Sequence, residues 1–139
     1  MTSHSDLIKQ LKRPWPVNKL KWRKGHGNKE LVYLDARMVK KRLDDVFGMD
    51  WQCTYTETNN KSVVCNIGVK VGDEWIWRSD GAGESNIEAE KGMYSDAFKR
   101  AAVRFGIGEY LYTGFEKNNI PKWATPEGYD ELMENKDGD

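Results

Sequence analysis

Between Trp51 and Asp80 the chain alternates apolar and polar residues in three successive runs, and this pattern limits the possible folds more than any other feature. Alternation with period two marks half-buried strands. Trp51, Cys53 and Tyr55 share one face of the first run, and Val63, Cys65, Ile67, Val69 and Val71 share one face of the second. The two apolar sets point the same way if an odd-numbered loop such as Thr58-Asn59-Asn60 joins the runs. That register sets Cys53 roughly opposite Cys65. Gly72-Asp73 is a two-residue hairpin signal leading into Glu74–Asp80. With Glu74 across from Val71, Trp75 faces Lys70 and Trp77 faces Gly68. The expectation is a three-stranded antiparallel meander.

Helical periodicity brackets this meander. Upstream, Asp35 suits an N-cap and Gly48 a stop, and Val39, Leu43, Val46 and Phe47 recur at the spacing of a buried stripe. Arg37, Lys40 and Lys41 fall on another face of the same helix, with Asp44 as the counter-charge one turn from Lys40. Downstream, Ser85-Asn-Ile-Glu88 reads as a capping box opening a long helix that Gly106 and Gly108 end. Its apolar stripe is Tyr94, Phe98, Ala101, Ala102 and Phe105, and Gly92 with the two alanines would admit a close neighbour. Lys91, Lys99, Arg100 and Arg104 lie off that stripe. Before residue 35, a short helix capped by Ser3 or Ser5 ends at Pro14 and Pro16. Lys19–Lys24 and Leu31–Leu34 then read as a hairpin, with Leu20 and Trp22 on one side and Lys19, Lys21 and Arg23 on the other. The fold class is α+β: a three-stranded antiparallel meander packed with a long helix and preceded by an N-terminal helix. Residues 1–114 form one domain, and 115–139 an acidic, flexible tail.

Composition narrows the chemistry. Leu, Ile, Val and Phe supply only 27 of 139 residues, so 6 Trp and 6 Tyr must help fill the core, and partner subunits have room to contribute. Core packing is therefore the first reading of Trp15, Trp22, Trp75 and Trp77, with stacking on unpaired bases as the alternative. No apolar run is long enough to span a membrane, and Met1–Arg13 lacks a signal segment, which points to the cytoplasm. Cys53 and Cys65 are too few for a disulfide framework or a four-cysteine zinc site and are expected reduced. His4 and His26 complete neither a metal pair nor a nucleophilic triad.

Net charge is zero but unevenly spread. Lys9–Arg42 carries 12 basic residues against Glu30 and Asp35, whereas residues 115–139 carry three basic and seven acidic groups. This suits either a body facing a polyanion beside an acidic tail or an ordinary solvated surface. Arg100 and Arg104 lie one helical turn apart, about 6 Å by rise, and offer forked donors to successive phosphates. The competing reading is an Asp96–Arg100 pair on a solvated helix face. Asp80-Gly-Ala-Gly-Glu84-Ser85 lacks the Gly-Lys-Ser/Thr of a phosphate loop and reads as a strand-to-helix turn. Asp80, Glu84, Glu88 and Asp96 leave open a metal-dependent nuclease.

Four segments taken together resemble a known family. Arg78-Ser-Asp-Gly-Ala-Gly-Glu-Ser85, Ile87-Glu-Ala-Glu-Lys-Gly92, Ser95-Asp-Ala-Phe-Lys-Arg-Ala-Ala102 and Arg104-Phe-Gly-Ile-Gly-Glu-Tyr-Leu-Tyr112 are similar to single-strand annealing proteins of the Rad-fifty-two superfamily. The likeness is strongest to phage and prophage members of the Sak type. Leu34-Asp-Ala-Arg37 and Arg42-Leu-Asp-Asp-Val-Phe-Gly48 extend it to roughly residues 15–113. The resemblance implies a phage-encoded protein acting in the bacterial cytoplasm, with no catalytic residue and no cofactor. Such a protein binds single-stranded DNA and anneals complementary strands in recombination and repair without ATP, as an oligomeric ring. It also implies phosphate binding by Arg37, Lys99, Arg100 and Arg104; charge placement adds Lys40, Lys41, Lys91 and Arg78. Recombination proteins of the host or phage are further implied partners, although little chain remains after the matched core for a separate recombinase-binding region. A passive single-strand-binding module is the alternative.

Overall fold

A computed structural model describes residues 3–25, 27, 29–59, 61–83 and 89–137. Helix α1 (His4–Lys12) starts at Ser3, whose hydroxyl accepts from the Asp6 amide. A 3-10 turn over 17–19 takes the place of the first strand residues expected there. Strands β1 (Lys21–Lys24) and β2 (Glu30–Tyr33) then form an antiparallel hairpin, with Trp22 across from Val32 and Arg23 across from Leu31. Helix α2 (Ala36–Phe47) begins at Asp35, whose carboxylate accepts from the Arg37 amide. It ends at Gly48, whose φ of 61° is the left-handed conformation that glycine adopts at little cost.

Strands β3 (Trp51–Glu57), β4 (Ser62–Val71) and β5 (Glu74–Gly83) form the expected meander in the order β3-β4-β5. The β4–β5 register is as read, with Trp75 across from Lys70 and Trp77 across from Gly68. The β3–β4 register is shifted by two residues: Tyr55 faces Cys65, and Cys53 faces Ile67. The physical reason is a longer loop. Lys61 takes a φ of 56°, and the Thr58 amide donates to the Ser62 carbonyl at 2.9 Å, so the loop closes over 58–62. A shift of two preserves parity, and every side chain keeps its expected face.

Helix α3 (Ala89–Val103) lies across one face of the sheet. Ala97, Phe98, Ala101 and Ala102 are buried, as are Val63, Cys65, Ile67 and Val69 of β4. Their small side chains bring helix and sheet close together, and the aromatics at the edges fill the rest. Two details differ from expectation. Ala97 joins the stripe, while Gly92 is exposed, with no atom within 4 Å of where a Cβ would stand. The capping box at 85–88 lies outside the described residues.

The segment read as a tail carries structure. A short 3-10 turn at Lys122–Ala124 leads into helix α4 (Pro126–Asp137). Ala124, Pro126 and Gly128 are buried there. Helix α4 returns to α1: Arg13 meets Asp130 in a two-pronged pair at 2.8 and 3.0 Å, and the Tyr129 hydroxyl donates to the Lys9 carbonyl at 2.9 Å.

Candidate nucleic-acid interface

The β1–β2 hairpin stands beside α3 and leaves a cleft of about 610 Å³ between them, lined among others by Arg23, Tyr33, Asp96, Lys99, Val103 and Tyr112. Strand alternation turns Lys21 and Arg23 outward while Leu20 enters the core. On α3, residues 96, 99 and 103 share one face, off the buried stripe. The Lys99 ammonium lies 5.5 Å from the centre of the Tyr33 ring, and the Arg23 guanidinium lies 5.8 Å from the same centre. Two cations therefore share one aromatic ring, each held by a cation–π attraction of about 0.5–1 kcal/mol. Lys99 is half-buried, and burial lowers its pKa; Arg23 and Lys21 lower it further, against the attraction of Asp96 and Asp35. An anion entering the cleft would favour the charged lysine and relieve repulsion among the three cations.

Asp35 links this cleft to the start of α2. Its carboxylate receives Arg37 at 3.1 Å and Lys21 at 3.0 Å, and it also caps the helix. These bonds, Arg37 first, hold the Asp35 carboxyl well below the ordinary carboxylate range. Farther along, Lys40 pairs with Asp44 at 2.8 Å and Lys41 with Asp45 at 2.9 Å. The reading that Asp44 alone faces the three α2 cations is thus corrected: Lys40 and Lys41 each have a carboxylate of their own, and Arg37 shares Asp35 with Lys21. All three cations remain exposed, and pairs of this kind contribute about 0–1 kcal/mol. A phosphate can exchange with them.

The remaining candidates lie on the β5 side of α3. Arg104 is 3.8 Å from Asp80, and its carbonyl accepts from Arg78, whose guanidinium also lies 5.1 Å over the Phe105 ring. Arg78 and Arg104, with Lys12, rim a second cavity of about 310 Å³ floored by Leu11, Phe47 and Ile76. Arg100 is exposed and makes no ion pair among the described residues; the Asp96–Arg100 pair is not formed. At about 100° per residue, Arg100 and Arg104 turn progressively away from the face that carries Lys99. The structure thus brings Lys99 together with Arg23 at Tyr33, joins Arg37 to Lys21 through Asp35, and groups Arg78 with Arg104. The Lys91 side chain lies outside what is described.

Sequence reasoning missed Lys21, Arg23 and Tyr33. The alternation in Lys19–Lys24 put the cations on one side, but nothing local indicates that the hairpin packs beside α3. Core packing holds for Trp15, which is buried with Arg42 stacked 3.9 Å above its ring. It does not hold for Trp75 and Trp77, which are 41% and 46% exposed on the open sheet face. Asp80–Gly83, read as a turn, continues β5 instead. A Cβ on Gly81 would stand 3.0 Å from the Val63 carbonyl, so glycine is what lets the two strands run on together. Asp80 itself is held by the Gly81 amide at 2.8 Å and by Arg104.

Comparison with known proteins agrees with this architecture. Residues 3–128 match the Rad52/22 family double-strand break repair proteins. The chain is 36% identical over 129 residues to the single-stranded DNA-binding protein DdrA of Deinococcus radiodurans, covering 86% of this chain and 59% of that protein. It is 30% identical over 145 residues to the single-stranded DNA-binding protein DdrA of Deinococcus deserti, covering 88% and 72%. The chain thus spans about three-fifths of the length of the first of these relatives. With its meander, its covering helix and a match over nearly its whole length, the chain belongs to the Rad52/22 family of double-strand break repair proteins.

Proposed function

We propose that this protein binds single-stranded DNA and anneals complementary strands in DNA repair and recombination, without a nucleotide cofactor. The observation that carries this reading is the cleft in which Lys99 and Arg23 share the Tyr33 ring, with Lys21 and Arg37 held nearby on Asp35. Arginine forks and lysine point charges hold phosphates, and phosphate contacts fix a strand in place without reading its sequence. A strand held by its backbone keeps its base edges free for a second strand. Pairing then supplies both specificity and driving force, so no catalytic residue is needed. Arg100, exposed on α3, and Arg104 with Arg78 on the β5 side supply a separate set of phosphate contacts beyond the cleft, and Lys40, Lys41 and Lys91 add peripheral charge. Each protomer reaches only a few phosphates. An oligomeric ring would join these weak contacts through effective concentration, and the low aliphatic content leaves surface for subunits to cover.

The test mixes labelled complementary oligonucleotides with and without protein, no nucleotide added. Annealing accelerated at low salt and suppressed at high salt is the expected result; no acceleration at any salt overturns the proposal. A second reading, passive single-strand binding, is favoured by the names of both relatives, single-stranded DNA-binding proteins. Tight binding with an unaltered annealing rate would select it.

A further inference from the structure

The sheet has a second face, pointing away from α3 and from the cationic cleft. Along β4, Val63, Cys65, Ile67 and Val69 turn toward the helix, so Val64, Asn66, Gly68 and Lys70 turn outward. Their β5 partners on that face are Gly81, Ser79, Trp77 and Trp75. The Trp75 and Trp77 ring centres are 6.3 Å apart and their planes differ by 30°. Trp77 rests on Gly68: a Cβ there would stand 2.8 Å from its ring atoms. The glycine therefore fixes one side of the indole against the backbone and leaves the other to solvent.

We infer that this open face is a second contact surface for single-stranded DNA, on which Trp75 and Trp77 stack against unpaired bases and Lys70 receives a phosphate. Two observations and one property of nucleic acids select this occupant. Lys70, directly across from Trp75, makes no ion pair among the described residues. A partner protein closing an apolar interface over the two indoles would bury that charge unpaired, at a cost, whereas a nucleic-acid strand brings anions along with its aromatic rings. Four other polar groups on the face satisfy one another: Ser79 donates to Asn66 at 2.7 Å, and Asn66 donates to Thr54 and Thr56 at 3.3 Å. Such a surface reads no base edges and accepts any sequence. Finally, base faces are open only in a single strand, since in a duplex they stack on each other.

This inference rests on the annealing reading above and gives the incoming second strand its own place, apart from the strand held in the cleft. Stacking depends little on salt, whereas phosphate contacts depend on it steeply. The second strand is therefore held loosely enough to slide while it searches for pairing.

The experiment preloads the full chain with one labelled mixed-sequence oligonucleotide, measures that affinity by anisotropy, and follows annealing of the complementary oligonucleotide. Trp75→Ala with Trp77→Ala should leave first-strand affinity within about twofold and slow annealing about tenfold. Trp75→Phe with Trp77→Phe, which keeps a flat ring, should recover most of the rate. If the alanine pair does not fold, Lys70→Glu, which alters no core packing, should slow annealing about fivefold. Annealing within about twofold of wild type in these variants overturns the inference and leaves the cleft reading intact. So does a change in oligomeric mass in the alanine pair, which would make a second copy of the chain the occupant. A wild-type protein that binds no oligonucleotide overturns both.

Discussion

Arg42 shows how a basic residue in a cationic stretch can be structural. Its guanidinium donates to the carbonyls of Gln10, Leu11 and Arg13 at 2.8–3.0 Å and stacks on Trp15. These carbonyls lie at the end of α1, where the last turn leaves backbone acceptors short of helical partners; that of Gln10 also accepts from the Arg13 amide. Arg42→Ala should destabilise the fold by about 2–3 kcal/mol in urea denaturation, since charged hydrogen bonds and a cation–π contact go together. Arg42→Lys should recover only part, because an ammonium lacks the planar fork. Asp35 carries the clearest pH signature. Its folded carboxyl is held below the ordinary range, so its stabilisation is present above the unfolded value of about 3.9 and disappears as acid titrates the folded group. Asp35→Ala should cost about 1 kcal/mol at neutral pH through loss of the cap. Asp35→Asn should keep the cap and lose that part of the acid dependence below pH ~4, as read by denaturation across pH. The pairing of Asp35 with Arg37 was within reach of a sequence reading, being local; its pairing with Lys21 was not, because it depends on where the hairpin lands.

At the scale of elements, local signals proved legible and long-range ones did not. Caps at Ser3 and Asp35, stops at Gly48, Gly106 and Gly108, and the period-two runs of β3–β5 all follow from neighbours a few residues apart. The β3–β4 register depended on the backbone conformation of one loop residue, Lys61, which composition does not announce. β5 ran past Asp80 because Gly81 tolerates the Val63 carbonyl at its α-carbon. Gly81→Ala, which places a Cβ against that backbone atom, should destabilise by about 1–3 kcal/mol. Helix α4 escaped notice because its own sequence is polar and its anchors, Arg13 and the Lys9 carbonyl, lie more than a hundred residues earlier. Tyr129→Phe should cost about 1 kcal/mol in the same assay, the value of one hydrogen bond to backbone. An unchanged midpoint would mean that α4 is not seated on α1 in solution.

At the scale of the whole molecule, a zero net charge hides a basic body and an acidic C-terminal segment. The acidic helix sits against α1, while Arg23 of the hairpin and Lys99 of α3 line the cleft, with Lys21 and Arg37 held on Asp35. Only the fold reveals which of the 22 basic residues share a surface: Lys21 and Arg23 join Lys99 through packing, while Lys40 and Lys41 are each balanced within their own helix. The central claim is that this cleft holds the backbone of single-stranded DNA. It is tested most directly by the salt dependence of oligonucleotide affinity in wild type, Arg23→Ala, Lys99→Ala and, as a control on the acidic side, Lys122→Ala. Arg23→Ala and Lys99→Ala should each weaken binding about fivefold and lower the slope of log affinity against log salt by about 0.7, the increment for one phosphate on a single strand. Lys122→Ala should overlay wild type. Four parallel lines of equal affinity would contradict the account.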